Sequence, residues 1–305
     1  MNKRNRFSVK KRNKLNWRFI AITIVSCMLF TVMFFVQKNV TNNALANNNA
    51  QNTPIEQTAH YNEALQEVIP KLEKESKDLK LTFGTPTQFQ AKTLKEVVPQ
   101  NKEKVIALTF DDGPWVPYTE QILDILQRNK IKATFFMVGN VVKEHPEVAK
   151  QVVNQGHAVA NHTWHHWYKK MSPDVAKSEI EKTKDIIYQT TGATTHIFRP
   201  PGGFLNNGLV SYAYKTKHFV ALWSSDSMDY RRPAPDRLAR NALINARPGG
   251  MILMHDGGGD RANTVKALPT IISSLRAQGY RFVTVPQLLE MKAKELGNQQ
   301  LTHKN

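Results

Sequence analysis

Two kinds of hydrophobic pattern divide the chain. Near the N-terminus an apolar run of 18 residues, Phe19–Val36, follows Arg18 and is closed by Lys38. From Lys104 onward, short β-rich runs alternate with amphipathic stretches of helical period. The runs predict strands at Val105–Phe110, Lys132–Met137, His157–Ala160, Thr195–Phe198, Phe219–Trp223, Met251–His255 and Phe282–Val285. Between them the 3.6-residue pattern predicts helices at Thr119–Asn129, Glu147–Asn154, Asp174–Thr190, Pro235–Ala246 and Asn263–Gln278. Such alternation is the signature of a parallel sheet with helical crossovers. The fold class is therefore α/β: a distorted, incomplete (β/α) barrel of about seven parallel strands, with a doubly wound open sheet as the alternative that pattern alone leaves open.

The N-terminal run is long enough, at the short end of the usual range, to form one membrane span. Eight Lys and Arg residues precede it, so the positive-inside rule keeps residues 1–18 cytoplasmic and sends the rest outward. Residues 19–36 are expected to be a signal anchor. A signal peptide cleaved after Ala44-Leu45-Ala46 is the alternative, and it would release the protein. A lipidation box at Ile24–Cys27 suits the sequence less well, because apolar residues continue past Cys27. Half of Asn39–Asn52 is Asn, and Tyr61–Lys80 reads as a surface helix broken by Pro70, so residues 37–81 form a flexible stalk. Residues 82–292 are expected to make one α/β domain, the candidate functional domain, and 293–305 a polar tail.

Composition narrows the function by exclusion. The formal charge is +17, but the first 40 residues hold nine Lys/Arg and no acid, which leaves 33 basic against 25 acidic residues elsewhere. The excess is juxtamembrane and reads lipid charge better than nucleic acid, so no nucleic-acid partner is expected. With Cys27 the only cysteine, neither a disulfide nor a thiolate zinc site can form in the domain. No feature demands an obligate protein partner.

The chemistry sits at the predicted strand ends, which share one face in a β/α barrel. The first strand ends in Asp111-Asp112-Gly113-Pro114, the third in His162-Thr163-Trp164-His165-His166, and the fourth in Arg199-Pro200-Pro201-Gly202-Gly203. The fifth, ending at Trp223, leads to Asp226 and Asp229, and the sixth carries Leu253 and His255. His162 and His166 are four residues apart, which on a helical turn would place both on one face within chelating reach, with His165 a competing ligand. One carboxylate and two imidazoles leave a coordination position open, as catalytic sites do, and they suit zinc, with other first-row divalent ions such as cobalt or nickel allowed. Asp111 is then placed to accept a proton, and His255 to donate one, with a carboxylate such as Asp226 fixing its tautomer. Trp115 and Trp164 could stack on sugar rings or fill core. Asp229, Asp256, His145, His157 and His196 read as cap, turn or surface groups, and Gly257–Gly259 lacks the lysine and spacing of a phosphate loop.

Taken in order, TFDDGP, H-T-x-x-H, R-P-P-x-G, D-x-x-D-Y and L-x-H resemble the five motifs of the polysaccharide deacetylase family, the NodB-homology domain of carbohydrate esterase family 4. The resemblance spans roughly residues 100–292. It implies that Asp112, His162 and His166 bind the metal, that Asp111 is the base oriented by Arg199, and that Asp226 orients the acid His255. It further implies that Leu253 lines a pocket for the acetyl methyl and that the Gly202 backbone N–H holds the oxyanion. Trp223 and Tyr230 join Gly202 and Leu253 on the substrate side. Many members carry Tyr where Gly202 stands, so the cleft is expected to be wider here, and Tyr230 replaces the more usual Trp. The resemblance implies a metal-dependent hydrolase that removes N-acetyl groups from a cell-envelope glycan, peptidoglycan first and chitin oligomers or O-acetyl esters next. A non-catalytic carbohydrate-binding protein on the same fold is the rival, and the complete acid, base and ligand set weighs against it.

Overall fold

The structure, a computed structural model, describes residues 81–100 and 103–302, together with helical positions 66 and 68–71. Contacts divide the chain into Met1–Lys74 and Glu75–Asn305, and the fold below is that of the second unit. The expected membrane span at 19–36 and most of the stalk lie outside the described residues. Among the described residues no helix is long and apolar enough to cross a membrane.

In chain order the strands are β1 (Thr82–Phe83), β2 (Thr93–Leu94), β3 (Val105–Asp111), β4 (Thr134–Met137), β5 (Ala158–Asn161), β6 (Thr194–Thr195), β7 (Ile197–Phe198), β8 (Phe219–Ala221), β9 (Ser225–Asp226), β10 (Gly250–His255) and β11 (Arg281–Phe282). The helices are α1 (Tyr118–Arg128), α2 (Gly139–Glu144), α3 (Pro146–Asn154), α4 (Pro173–Thr191), α5 (Leu209–Lys215), α6 (Pro235–Ile244), α7 (Ala262–Ala277) and α8 (Val285–Thr302). All five predicted helices form. Three begin with proline at the first turn, where no amide is needed, and Ser172 caps α4 by accepting the Val175 N–H at 3.4 Å.

Nine strands build the main sheet, in the order β2-β8-β7-β5-β4-β3-β10-β9, with β11 pairing the start of β3. Every pair is parallel. The outermost strands β2 and β9 do not pair, and the ring is drawn together by an antiparallel bridge between Glu96 and Gly250 and by the Arg247–Glu96 ion pair beside it. This is the incomplete barrel rather than the doubly wound sheet. The two strands of this sheet beyond the seven predicted, β2 and β9, are two residues long and carry no period to read, and the same holds for β1, which pairs β6 in a separate two-stranded sheet. The segment Phe282–Val285 is also shorter as a strand than predicted, because α8 starts at Val285 and runs through the supposed polar tail.

Period two along the central strands sorts side chains into two layers. Ile106, Leu108 and Phe110 of β3 join Ile252 and Met254 of β10 in the outer core under the helices. Val105 and Ala107 join Met251, Phe136, Ala160 and Ala221 in the barrel interior, which Leu288 and Leu289 of α8 also line. Thr109, Asp111, Leu253 and His255 continue the interior-facing series toward the strand ends, with Thr109 beside Leu253 and Asp111 beside His255 in register. The same alternation that builds the core therefore aims Asp111 and His255 into one mouth.

Candidate active site

Arg199 is the centre of the site and has no exposed surface. Its Nη1 donates to Asp111 Oδ1 at 2.7 Å and to Thr109 Oγ1 at 3.0 Å, Nε donates to the Ala221 carbonyl at 2.9 Å, and Nη2 to the Leu222 carbonyl at 3.1 Å. The guanidinium lies 3.9 Å over the Phe136 ring. Burial alone would make a lone cation costly, but here it is paired and its donors are taken up by the barrel wall. Asp111 is thereby fixed, with its other oxygen 3.6 Å from His162 Nε2.

Asp112 follows in a left-handed backbone conformation, φ 76°, that swings its carboxylate away from the strand's alternation. Its Oδ1 stands 3.4 Å from His162 Nε2 and 3.1 Å from His166 Nε2. The histidine pair is not on a helical turn as the spacing suggested. Residues 162–168 are a loop, with Thr163 at φ 68° and His166 at φ 59°, pinned by Asn161 accepting the Thr163 N–H and Thr163 Oγ1 accepting the His166 N–H. His165 points elsewhere: its Nδ1 meets the buried Glu179 carboxylate at 2.6 Å.

These three residues fit a cation. His162 Nδ1 lies 2.7 Å from the Arg199 carbonyl, which can only accept, so the proton sits on Nδ1 and the Nε2 lone pair faces Asp112. Asp112 Oδ1 and His162 Nε2 are both buried without a hydrogen-bond partner, an arrangement that costs free energy unless something positive lies between them. Asp112, His162 and His166 each offer an atom within 4.8 Å of the others'. Ligands at the usual zinc distances in a tetrahedron stand about 3.3 Å apart, close to the 3.1 and 3.4 Å separations here.

His255 ends β10, and its partner is not Asp226 but Asp229. His255 Nδ1 meets Asp229 Oδ1 at 2.6 Å, and its backbone N–H donates to Oδ2 at 2.7 Å. Asp229 also accepts from Thr264 Oγ1 of α7 at 2.8 Å and is buried, so the residue read as a turn group is the one that holds the imidazole. Burial disfavours a charged His255, but Asp229, with Asp112 and Asp111 behind it, pushes its pKa up to about 9. Asp226 accepts the Met228 N–H at 2.7 Å and a bond from Trp223, and burial raises its pKa. Met228 explains the exchange: its φ of 53° turns the chain between the two acids, so Asp229 and not Asp226 comes under the histidine.

Leu253 is buried beside Thr109, while Tyr230 packs edge-on to His255 at 5.9 Å and is exposed. Gly202 lies in a short 3₁₀ turn with φ 61°. Asp256, also read as a turn or surface group, is buried: it accepts the Gly113 N–H at 3.1 Å and Thr119 Oγ1 at 2.6 Å, bracing the turn that carries Asp112. Burial raises its pKa to about 7. His157 is buried likewise, with burial driving its pKa down to about 3, so it is a neutral core group accepting the Ala133 N–H. No sequence pattern marks these burials; only the partner strands reveal them.

The buried Arg199–Asp111 pair, the Asp112–His162–His166 cluster and the Asp229-held His255 thus share one barrel mouth. The polysaccharide deacetylase family model matches residues 99–220. A peptidoglycan-N-acetylglucosamine deacetylase of Bacillus cereus is 41% identical over 194 residues, covering 63% of this chain and 91% of that one. Among solved structures, a peptidoglycan N-acetylglucosamine deacetylase in complex with a substituted benzamide matches with a TM-score of 0.61 at 33% identity, over 66% of this chain and 94% of the other. A CE4 family pseudoenzyme from Bacillus anthracis matches with a TM-score of 0.60 at 31% identity, over 65% of this chain and 69% of that one. The chain belongs to the polysaccharide deacetylase family.

Proposed function

We propose that the protein is a metal-dependent deacetylase that removes N-acetyl groups from the amino sugars of peptidoglycan, N-acetylglucosamine first, anchored by residues 19–36 with its catalytic domain on the outer face of the cell membrane. The observation that carries the reading is the coexistence, at one barrel mouth, of an Arg199-held base beside the Asp112–His162–His166 triad and a charged His255 one strand away. A divalent cation held by Asp112, His162 and His166, zinc being best suited and cobalt or nickel allowed, supplies Lewis acidity toward the acetyl carbonyl and makes water acidic enough to deprotonate near neutral pH.

The chain's own residues then divide the proton work. Asp111, its other oxygen tied to Arg199, accepts the proton of the attacking water as the carbon–oxygen bond forms. The Gly202 N–H donates to the developing oxyanion. His255, protonated at neutral pH through Asp229, gives its Nε2 proton to the leaving nitrogen as the carbon–nitrogen bond breaks, so a free amine and acetate separate. Leu253 offers the apolar contact for the methyl. Relatives named for peptidoglycan support the substrate, and so does the anchor, which would hold the enzyme where wall glycan is the first polymer met.

The test is acetate release from N-acetylated peptidoglycan by the full-length chain purified in mild detergent, with chelator, with added zinc, and with the Asp112→Ala variant alongside. Release that needs zinc and Asp112 is expected. Metal binding without release from peptidoglycan, chitin oligomers or O-acetyl esters would move the protein to the non-catalytic reading that the pseudoenzyme neighbour exemplifies.

A further inference from the structure

The sequence suggests that glycine at 202 leaves the cleft open, and the structure shows the space filled. A Cβ placed on Gly202 would meet Phe204 Cε2 and Tyr168 Cε1, each at 2.9 Å, so any side chain here would displace two rings. The backbone at Gly202, φ 61°, disfavours one as well. Next to it, Gly203, φ 72°, lets Trp223 approach to 2.9 Å of its own absent Cβ. The two glycines thin the backbone so that aromatic rings can close on it from both sides.

Tyr168 and Phe204 meet edge to face, with centroids 5.9 Å apart and planes at 82°. Tyr168 rests edge-on against the ring of His166 at 5.1 Å, which ties the pair to the triad. Both residues nevertheless stay about half exposed, 57% for Tyr168 and 46% for Phe204. They are thus held in place on one side and bare on the other, at the lip of the reacting site, which is unlike two residues recruited for core.

We propose that Tyr168 and Phe204 form a sugar subsite next to the reacting centre, taking a pyranose ring of the glycan chain adjacent to the one deacetylated. Rings at right angles make a corner, one a floor for the apolar C–H face of a pyranose and the other a wall along its edge. The Tyr168 hydroxyl serves the polar rim. Glycine at 202 is part of the device, since a side chain there would push both rings out of the corner they make. The subsite rests on the deacetylase reading for the identity of its ligand, and it makes the enzyme prefer chains to single sugars.

The variants Tyr168→Leu, Phe204→Leu and Tyr168→Phe test it in the full-length chain by two measurements. Affinity electrophoresis of metal-depleted protein through gels containing soluble N-acetylated glycan reads binding apart from catalysis. The ratio of kcat/KM for a glycan tetramer to that for an aryl acetate reads the use of the subsite. Each Leu variant should lose roughly tenfold in glycan affinity and in that ratio, the scale that burying one apolar ring face carries, whereas Tyr168→Phe should stay within about threefold of wild type. Wild-type affinity and ratio in both Leu variants would overturn the subsite while leaving the deacetylase reading intact. Glycan binding that falls in the Leu variants, by a protein that releases no acetate, would support the subsite and overturn the enzymatic reading instead.

Discussion

Replacing Asp229 with asparagine asks whether this carboxylate sets the protonation of His255. The substitution keeps an oxygen to accept the His255 N–H and the Thr264 hydroxyl but removes the charge. With the carboxylate present the imidazole titrates at about 9; without its largest favourable contribution, burial dominates and the value should fall to the ordinary 6.5 or below. At 1.36 kcal/mol per pH unit the difference is about 3 kcal/mol. The sign follows from linkage. His255 has a folded value above its unfolded one, so its stabilisation is complete below pH ~6.5 and disappears as pH rises through ~9. Asp229→Asn should therefore cost up to about 3 kcal/mol at pH 6 and little from this source at pH 10. Histidine NMR titration of the metal-free protein reads the value directly, and the alkaline limb of the deacetylation rate reads it in turnover. That limb should lie below 9 in the loaded enzyme, because a cation on Asp112 cancels part of the field. Asp226→Asn is the control and should move the limb far less. A His255 value within half a unit of wild type in Asp229→Asn would refute the assignment.

Arg199→Met should destabilise by roughly 3–5 kcal/mol in urea unfolding, since it strands a buried Asp111, and Arg199→Lys should recover only part, lacking the fork that reaches three walls at once. Zinc at 100 times its dissociation constant should stabilise the metal-depleted protein by about 2.7 kcal/mol, read as a rise in Tm, and His162→Ala should abolish the rise. Thr119→Val removes the hydroxyl donor to buried Asp256 and should cost about 1–3 kcal/mol in denaturant midpoint analysis, with a drop in kcat as the Asp112 turn loosens; an unchanged midpoint would mean that Asp256 needs no such partner.

What could be read from the sequence depended on how far each signal reaches along the chain. β3 is a seven-residue buried run and all five predicted helices have clear amphipathic faces, so their positions were legible to within a residue or two. The two-residue strands are made by their neighbours' edges and have no pattern of their own. The stretch after Lys292 read as a polar tail because its sequence carries few apolar residues, yet α8 continues through it from a start docked by Leu288 and Leu289, with Ala293 and Leu296 packed on the same cluster. At the site, residue types and spacing brought the ligand triad within reach, although the histidines meet through a left-handed loop instead of a helical turn. The choice between Asp226 and Asp229 was not legible, because it is made by one backbone turn at Met228 and by Thr264, thirty-five residues further on.

Arg199 has a consequence for how such a protein can lose its activity. It is at once the wedge that fills the barrel interior and the hand that positions the base, so its loss would remove a structural member together with a catalytic aid. Asp112, His162, His166 and His255 stand instead at the strand ends and the loop beyond them, outside the packed interior. A lineage of this architecture drifting away from catalysis would therefore shed its rim first and carry the arginine along as masonry, long after there is any proton to move.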